Sequence, residues 1–147
     1  MAITANTRDR LNHSLCDDAA TNNLLSRNGV AAASLTVGAE AANVITVAVQ
    51  LNDENGDAIA SPSGVTICLF ADAAGAGLNA QNYTTVAAGT DGWAIELVAD
   101  KVLLAGSESD GDIDIAITLS SGAATCYVGV LLADGSWAIS DAVTHAA

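Results

Sequence analysis

Basic and aromatic residues are scarce in this chain. Its 147 residues include four Lys and Arg against 17 Asp and Glu, a formal net charge of −13. Such an excess of acid argues against binding nucleic acid or an anionic membrane, since like charges repel. Phe, Trp and Tyr together make up 3% of the residues, so the apolar fraction of 51% overstates the core: 31 of those residues are Ala. Ala contributes little buried area, which predicts a thin core of Val, Ile and Leu and added burial at a partner surface. No apolar run approaches the ~20 residues of a membrane-spanning helix. The opening MAITANTRDRLNH lacks a basic leader followed by an apolar run, so the expected place is the cytoplasm where it is made or a larger particle assembled there. Cys-x-x-Cys, His-x-x-x-His and Walker loops are also missing, and no nucleophile–base spacing stands out. The expectation is a non-enzymatic protein with no cofactor and no metal.

The charges that are present are unevenly placed. Arg8, Arg10 and Arg27 balance Asp9, Asp17 and Asp18, so the first 27 residues are neutral. From Glu40 onward there are fourteen acids and one base, Lys101. An acidic body that stays in solvent and a neutral arm that docks would account for this split. Thr7 is placed to cap a short helix over Arg8 to Cys16, with Leu11 and Leu15 on one face. Asn22 to Leu25 adds a turn ended by Asn28–Gly29, and Ser34 to Val37 reads as a strand. Residues 1–42 are therefore taken as an N-terminal arm. Arg8, Arg10, Leu11, Leu15, Leu24, Leu25 and Arg27 are its candidate contact residues.

Residues 43–147 carry a different pattern. In Asp112 to Leu119, DIDIAITL, the residues Ile113, Ile115, Ile117 and Leu119 fall on one face and Asp112 and Asp114 on the other. A side-chain period of two is the mark of a half-buried strand. The same alternation runs through Asn43 to Leu51, Gly64 to Ala71, Tyr83 to Ala87, Trp93 to Ala99 and Ala124 to Leu132. Ser136 to Thr144 reads as a closing strand, and Lys101 to Leu104 as an edge or corner. Asn55–Gly56 and Asp134–Gly135 supply hairpin turns. About seven strands at this spacing predict an all-β antiparallel sandwich rather than a parallel α/β fold.

Candidate chemistry is sparse. His13 lies in the arm, and His145, three from the end, is expected at the surface. Asp53, Asn55 and Asp57, and the group Glu108, Asp110, Asp112 and Asp114, offer carboxylates of the kind calcium takes. Neither has the spacing and distal Glu of an EF-hand, so both read as solvated turns, with Asp112 and Asp114 guarding an edge strand. Trp93 and Trp137 follow turns and are expected to cap the core. Three cysteines without a secretion signal argue against a disulfide framework. Cys68 and Cys126 sit on different strands, yet the tyrosine expected two residues before the second cysteine of an immunoglobulin-type bridge is absent; both read as buried thiols.

The stretches AANVITVAVQLNDENGDAIA (Ala41 to Ala60), LFADAAGAGL (Leu69 to Leu78), GTDGWAIELVADKVLLAGSESDGDIDIAITL (Gly89 to Leu119) and LLADGSWAIS (Leu131 to Ser140) resemble a group of small virion proteins of tailed bacteriophages. The resemblance runs from about Ser34 to the end and rests on turns and strand patterns. It implies an immunoglobulin-like β-sandwich that decorates or cements the outer capsid surface, with the major capsid protein as partner and no catalytic residues. A homo-oligomer is expected, a trimer by analogy with quasi-threefold capsid sites. The rival reading is a receptor- or glycan-binding module of a head or tail fibre, which needs exposed aromatics and a binding loop such as Asp72 to Asn82.

Overall fold

The computed structural model describes residues 30–147. Ten strands form two antiparallel sheets: β1 (Ala32–Val37), β2 (Val44–Asn52), β3 (Gly64–Phe70), β4 (Thr85–Ala88), β5 (Trp93–Val98), β6 (Val102–Gly106), β7 (Asp112–Thr118), β8 (Ala124–Leu131), β9 (Trp137–Ile139) and β10 (Val143–His145). The first sheet runs β1-β2-β7-β4, and the second β10-β8-β3-β6-β5, with β9 also paired to β8. The expected all-β class is what forms. The arm helix lies outside the described residues. The strand foreseen at Ser34 to Val37 begins at Ala32 and pairs with β2 from Ala32↔Asn52 to Val37↔Val47, so the sheets start ahead of residue 43.

Alternation decides which side chains enter the core. Ile45, Val47, Val49 and Leu51 of β2 and Ile113, Ile115 and Ile117 of β7 line the inner face of the first sheet. Val65, Ile67 and Leu69 of β3, Leu103 and Ala105 of β6, and Cys126, Val128 and Val130 of β8 line the second. Cys68, next to Ile67 and Leu69 along β3, is buried on the outer face of its sheet. Cys126 faces the core, and both thiols are free. One sheet layer separates them, which rules out a bridge without backbone movement.

Three hairpins follow their turn chemistry. Asp53 caps its own turn, its Oδ1 accepting the amides of Asn55 (2.8 Å) and Asp57 (3.0 Å), with Gly56 at φ 84°. Asp134 does the same for Ser136 (2.8 Å), with Gly135 at φ 85°. The β1–β2 connection is less comfortable. Ala41 and Val44 exchange backbone bonds of 2.9 and 3.0 Å across Ala42–Asn43, and both loop residues have positive φ, 51° and 67°. This is the left-handed pair that a two-residue hairpin requires; Asn tolerates it and Ala does not.

Several local readings change in three dimensions. The Ser136 to Thr144 run is two strands, because Ser140 interrupts it: its Oγ accepts the Val128 amide (3.0 Å) and donates to the Asp141 carbonyl (2.7 Å). Lys101 to Leu104 is not an edge, since β6 lies between β3 and β5. Asp112 and Asp114 do not guard an edge either, since β7 is flanked by β2 and β4. The chain crosses from β4 to β5 over Gly89 to Gly92, and Asp114 pins that crossing. Its amide donates to the Asp91 carbonyl (2.9 Å) and its Oδ2 accepts the Thr90 hydroxyl (2.5 Å).

Ile115 is fully buried at the centre of β7. Ile115→Ala should lower unfolding free energy by about 2–5 kcal/mol in a urea titration, the usual cost of such a cavity. Ala42→Gly should act oppositely and raise it by about 1 kcal/mol, through relief of the left-handed penalty.

Candidate interaction surface

The interior formed by the described residues holds a small polar cluster around His145. His145 is 1% exposed, contrary to the surface position expected from its place near the end of the chain. Pairing of β10 with β8 (His145↔Ala124) turns its ring inward, where Nε2 lies 3.1 Å from the Ile117 carbonyl of the opposite sheet. A carbonyl only accepts, so Nε2 carries the proton and Nδ1 is left without a partner. The Tyr83 ring lies 5.9 Å away, and its buried hydroxyl is likewise unpartnered. Burial pushes the Tyr83 phenol far above its ordinary range. The Cys126 thiol lies close enough to couple to it without forming a hydrogen bond of good geometry. Burial also raises the thiols of Cys126 and Cys68, which keeps them protonated and poorly nucleophilic.

Several acidic side chains, Asp53, Asp72, Glu96 and Asp134 among them, accept local backbone bonds. Asp72 Oδ1 accepts the amides of Ala74 (2.9 Å) and Ala76 (3.0 Å). Asn79 is buried and donates to the Thr125 carbonyl (2.8 Å) while accepting the Gln81 amide (2.8 Å). The Asp72 to Asn82 loop is thus tied down at both ends. Among the described residues, no group of three or more His, Cys, Asp or Glu is placed to hold a metal ion. Lys101, the one base there, donates to the Gln81 carbonyl (3.1 Å). No helix among the described residues is long and apolar enough to cross a membrane.

What stands out is an apolar face. Of the six large hydrophobic residues left exposed among the described residues, five belong to β5 and β6: Trp93 (46%), Ile95 (58%), Leu97 (60%), Val98 (47%) and Leu104 (38%). The expectation that Trp93 caps the core is corrected here. Leu103 and Ala105 take the inward positions of β6, so Leu104, its partner Ile95, and Val98 face out. A bulge between Glu96 and Val98 puts Leu97 out of phase with both. Trp93 pairs with Gly106 and its indole rests over that glycine, where any Cβ would collide with the ring. Trp137 behaves differently and packs edge-on against Phe70, centroids 4.9 Å apart. A groove of about 230 Å³ adjoins the face, lined by Val30, Gly64, Val65, Thr66, Leu104, Leu131, Leu132 and Ala133.

The seven contact candidates named from the sequence, Arg8, Arg10, Leu11, Leu15, Leu24, Leu25 and Arg27, lie outside the described residues. Trp93, Ile95, Val98 and Leu104 were missed as surface residues. Their signal was the adjacent apolar pair Leu97–Val98 and the run Val102-Leu103-Leu104, since neighbours along a strand cannot all face one core. Fold and surface together define an acidic all-β module with one apolar outer face. No known protein family, curated protein or solved structure matches the chain.

The partly exposed Asp112 sits among Asp110, Asp91 and Asp114, and desolvation and these like charges raise its carboxyl above the ordinary value. The folded chain then binds this proton more tightly than the unfolded chain, so Asp112 disfavours folding at neutral pH. Asp112→Asn should raise the melting temperature at pH 7, by less than about 1 kcal/mol in stability because solvent screens the site. The gain should shrink as pH falls through the raised value and vanish below the unfolded value of about 3.8. Melts of both proteins across that range check the sign.

Proposed function

We propose that this protein is a non-enzymatic structural component of a tailed-phage virion. In this reading an immunoglobulin-like sandwich binds the outer face of the capsid and decorates or cements the shell. The observation that carries it is the apolar β5–β6 face on a module that is otherwise strongly acidic. Such a face marks a protein contact rather than a site for a charged small molecule. The resemblance of Ala41 to Ala60 and Gly89 to Leu119 to phage virion proteins supplies the kind of assembly. Strand order supports the fold family: β1-β2-β7-β4 opposite β8-β3 follows the arrangement of immunoglobulin constant domains, and the β5–β6 hairpin is an addition to it.

The major capsid protein is the partner in this reading, a homotrimer the assembly, and the neutral arm with Arg8, Arg10, Leu11, Leu15, Leu24, Leu25 and Arg27 the contact. A thin-cored module gains stability when a lattice of identical sites buries more of its surface. The half-exposed Trp93 indole favours one second reading, a fibre module that stacks a sugar on an aromatic face.

Co-sedimentation of the full chain with empty mature capsids tests the proposal. Saturation at many copies per shell is expected, and Leu11→Asp with Leu15→Asp should weaken it at least about tenfold, a loss of about 1.4 kcal/mol. Binding at only a few copies would move the protein to a vertex or fibre. An absence of binding, with Trp93 fluorescence responding to cell-surface glycans, would replace the capsid reading with the sugar-binding one.

A further inference from the structure

The two buried side-chain atoms without a partner among the described residues, the Tyr83 hydroxyl and His145 Nδ1, meet at one short strand. β10 is three residues long and is the outermost strand of its sheet. It pairs with Ala124–Cys126 of β8. Val143 and His145 are buried on it, and Cys126, the partner of Val143, faces the core beside them. The Tyr83 and His145 rings stand 5.9 Å apart. A buried polar atom without a partner forfeits the hydrogen bond it would make to water. Keeping β10 closed therefore carries a cost that is absent at the other buried polar side chains described.

The strand is also jointed where it begins. β9 and β10 pair with β8 in registers one residue apart: Gly129 faces Ile139 and Cys126 faces Val143, so Ser140 to Ala142 oppose two residues of β8. Such a bulge interrupts the ladder. Ser140 is the pivot. Its amide donates to the Val128 carbonyl (2.8 Å) and its Oγ accepts the Val128 amide (3.0 Å). Beyond it the side-chain ties are light. His145 Nε2 donates to the Ile117 carbonyl (3.1 Å), the Thr144 and Thr125 hydroxyls meet at 3.2 Å, and Glu40 Oε2 accepts the Ala146 amide (2.9 Å). The last two are exposed, where water replaces a lost bond at little cost.

We propose that β10 is a strap that opens about Ser140 while the sandwich stays folded, admitting water to Tyr83 and His145 and uncovering Cys126. Hydration of the two unpartnered atoms offsets part of the burial that Val143 and His145 lose. Local openings of this kind arise in lightly tied edge segments, whereas β7 and β8 are each paired on both sides. The open form presents a free strand edge at Ala124–Cys126 and a thiol that the closed form hides. This inference does not depend on the capsid reading.

The full-length chain carries its own reporter. Modification by an aromatic disulfide reagent is followed at each cysteine by peptide mass mapping, alongside amide exchange on β7. Cys126 should react at a rate nearly independent of urea below the unfolding transition, because a local opening exposes little new surface. Tyr83→Phe keeps the ring and removes one unpartnered atom. It should slow Cys126 modification by about fivefold or more, since the closed form no longer buries that hydroxyl. A rate that climbs with urea in step with β7 exchange overturns the proposal, because Cys126 is then reached by whole-chain unfolding. An unchanged or faster rate in Tyr83→Phe overturns it as well. Should Tyr83→Phe fold poorly, the urea dependence in the unaltered chain decides alone.

Discussion

Packing between the two aliphatic sheet faces is the interaction on which the rest of this structure depends. Ile45, Val47, Val49 and Leu51 on β2 and Ile113, Ile115 and Ile117 on β7 meet Val65, Ile67, Leu69, Val128 and Val130 from the other side. Few aromatic rings are available to fill volume, and Tyr83 is the one aromatic side chain among the buried residues of that cluster. Branched aliphatics on paired strands fill the space instead, and they do so only while the two sheets stay in register. Burial of this kind is proportional to area removed from water, so the central strands carry most of the stabilisation and the edges little.

Two buried polar atoms, the Tyr83 hydroxyl and His145 Nδ1, have no partner among the described residues. His145 joins the sheets through Ile117, and the energy of that bond offsets part of the cost of leaving Nδ1 and the Tyr83 hydroxyl unpartnered. Both atoms sit where β10 closes one end of the sandwich, outside the row of isoleucines on β7. The Cys68 and Cys126 thiols are buried, and Asp72 is held by the amides of its own loop.

Surface properties divide along similar lines. Acidic residues cover turns and outward strand positions, while β5 and β6 expose aliphatic side chains and an indole. The sheet extends at this edge beyond the opposing layer: Ala94 packs on the core, and Glu96, facing the same way, is exposed. β5 therefore has water on both sides and contributes surface where the other strands contribute core.

Strand existence was legible from local pattern. DIDIAITL and the alternation of Asn43 to Leu51 correspond to β7 and β2, and the Asn55–Gly56 and Asp134–Gly135 turns to the turn after β2 and the β8–β9 hairpin, because period-two alternation and left-handed turn residues are properties of neighbouring residues. Other features depended on what lies opposite. Trp93, Ile95 and Leu97 alternate as cleanly as a core strand, yet no second layer faces them. Lys101 to Leu104 has the look of an edge, yet β5 pairs outside it. His145 is near the end of the chain, yet β10 folds it under Ile117. The sequence by itself determined the strands, their turns and the division between a neutral start and an acidic body. Only the tertiary structure decided which faces are buried, because burial depends on a partner layer brought together from distant parts of the chain.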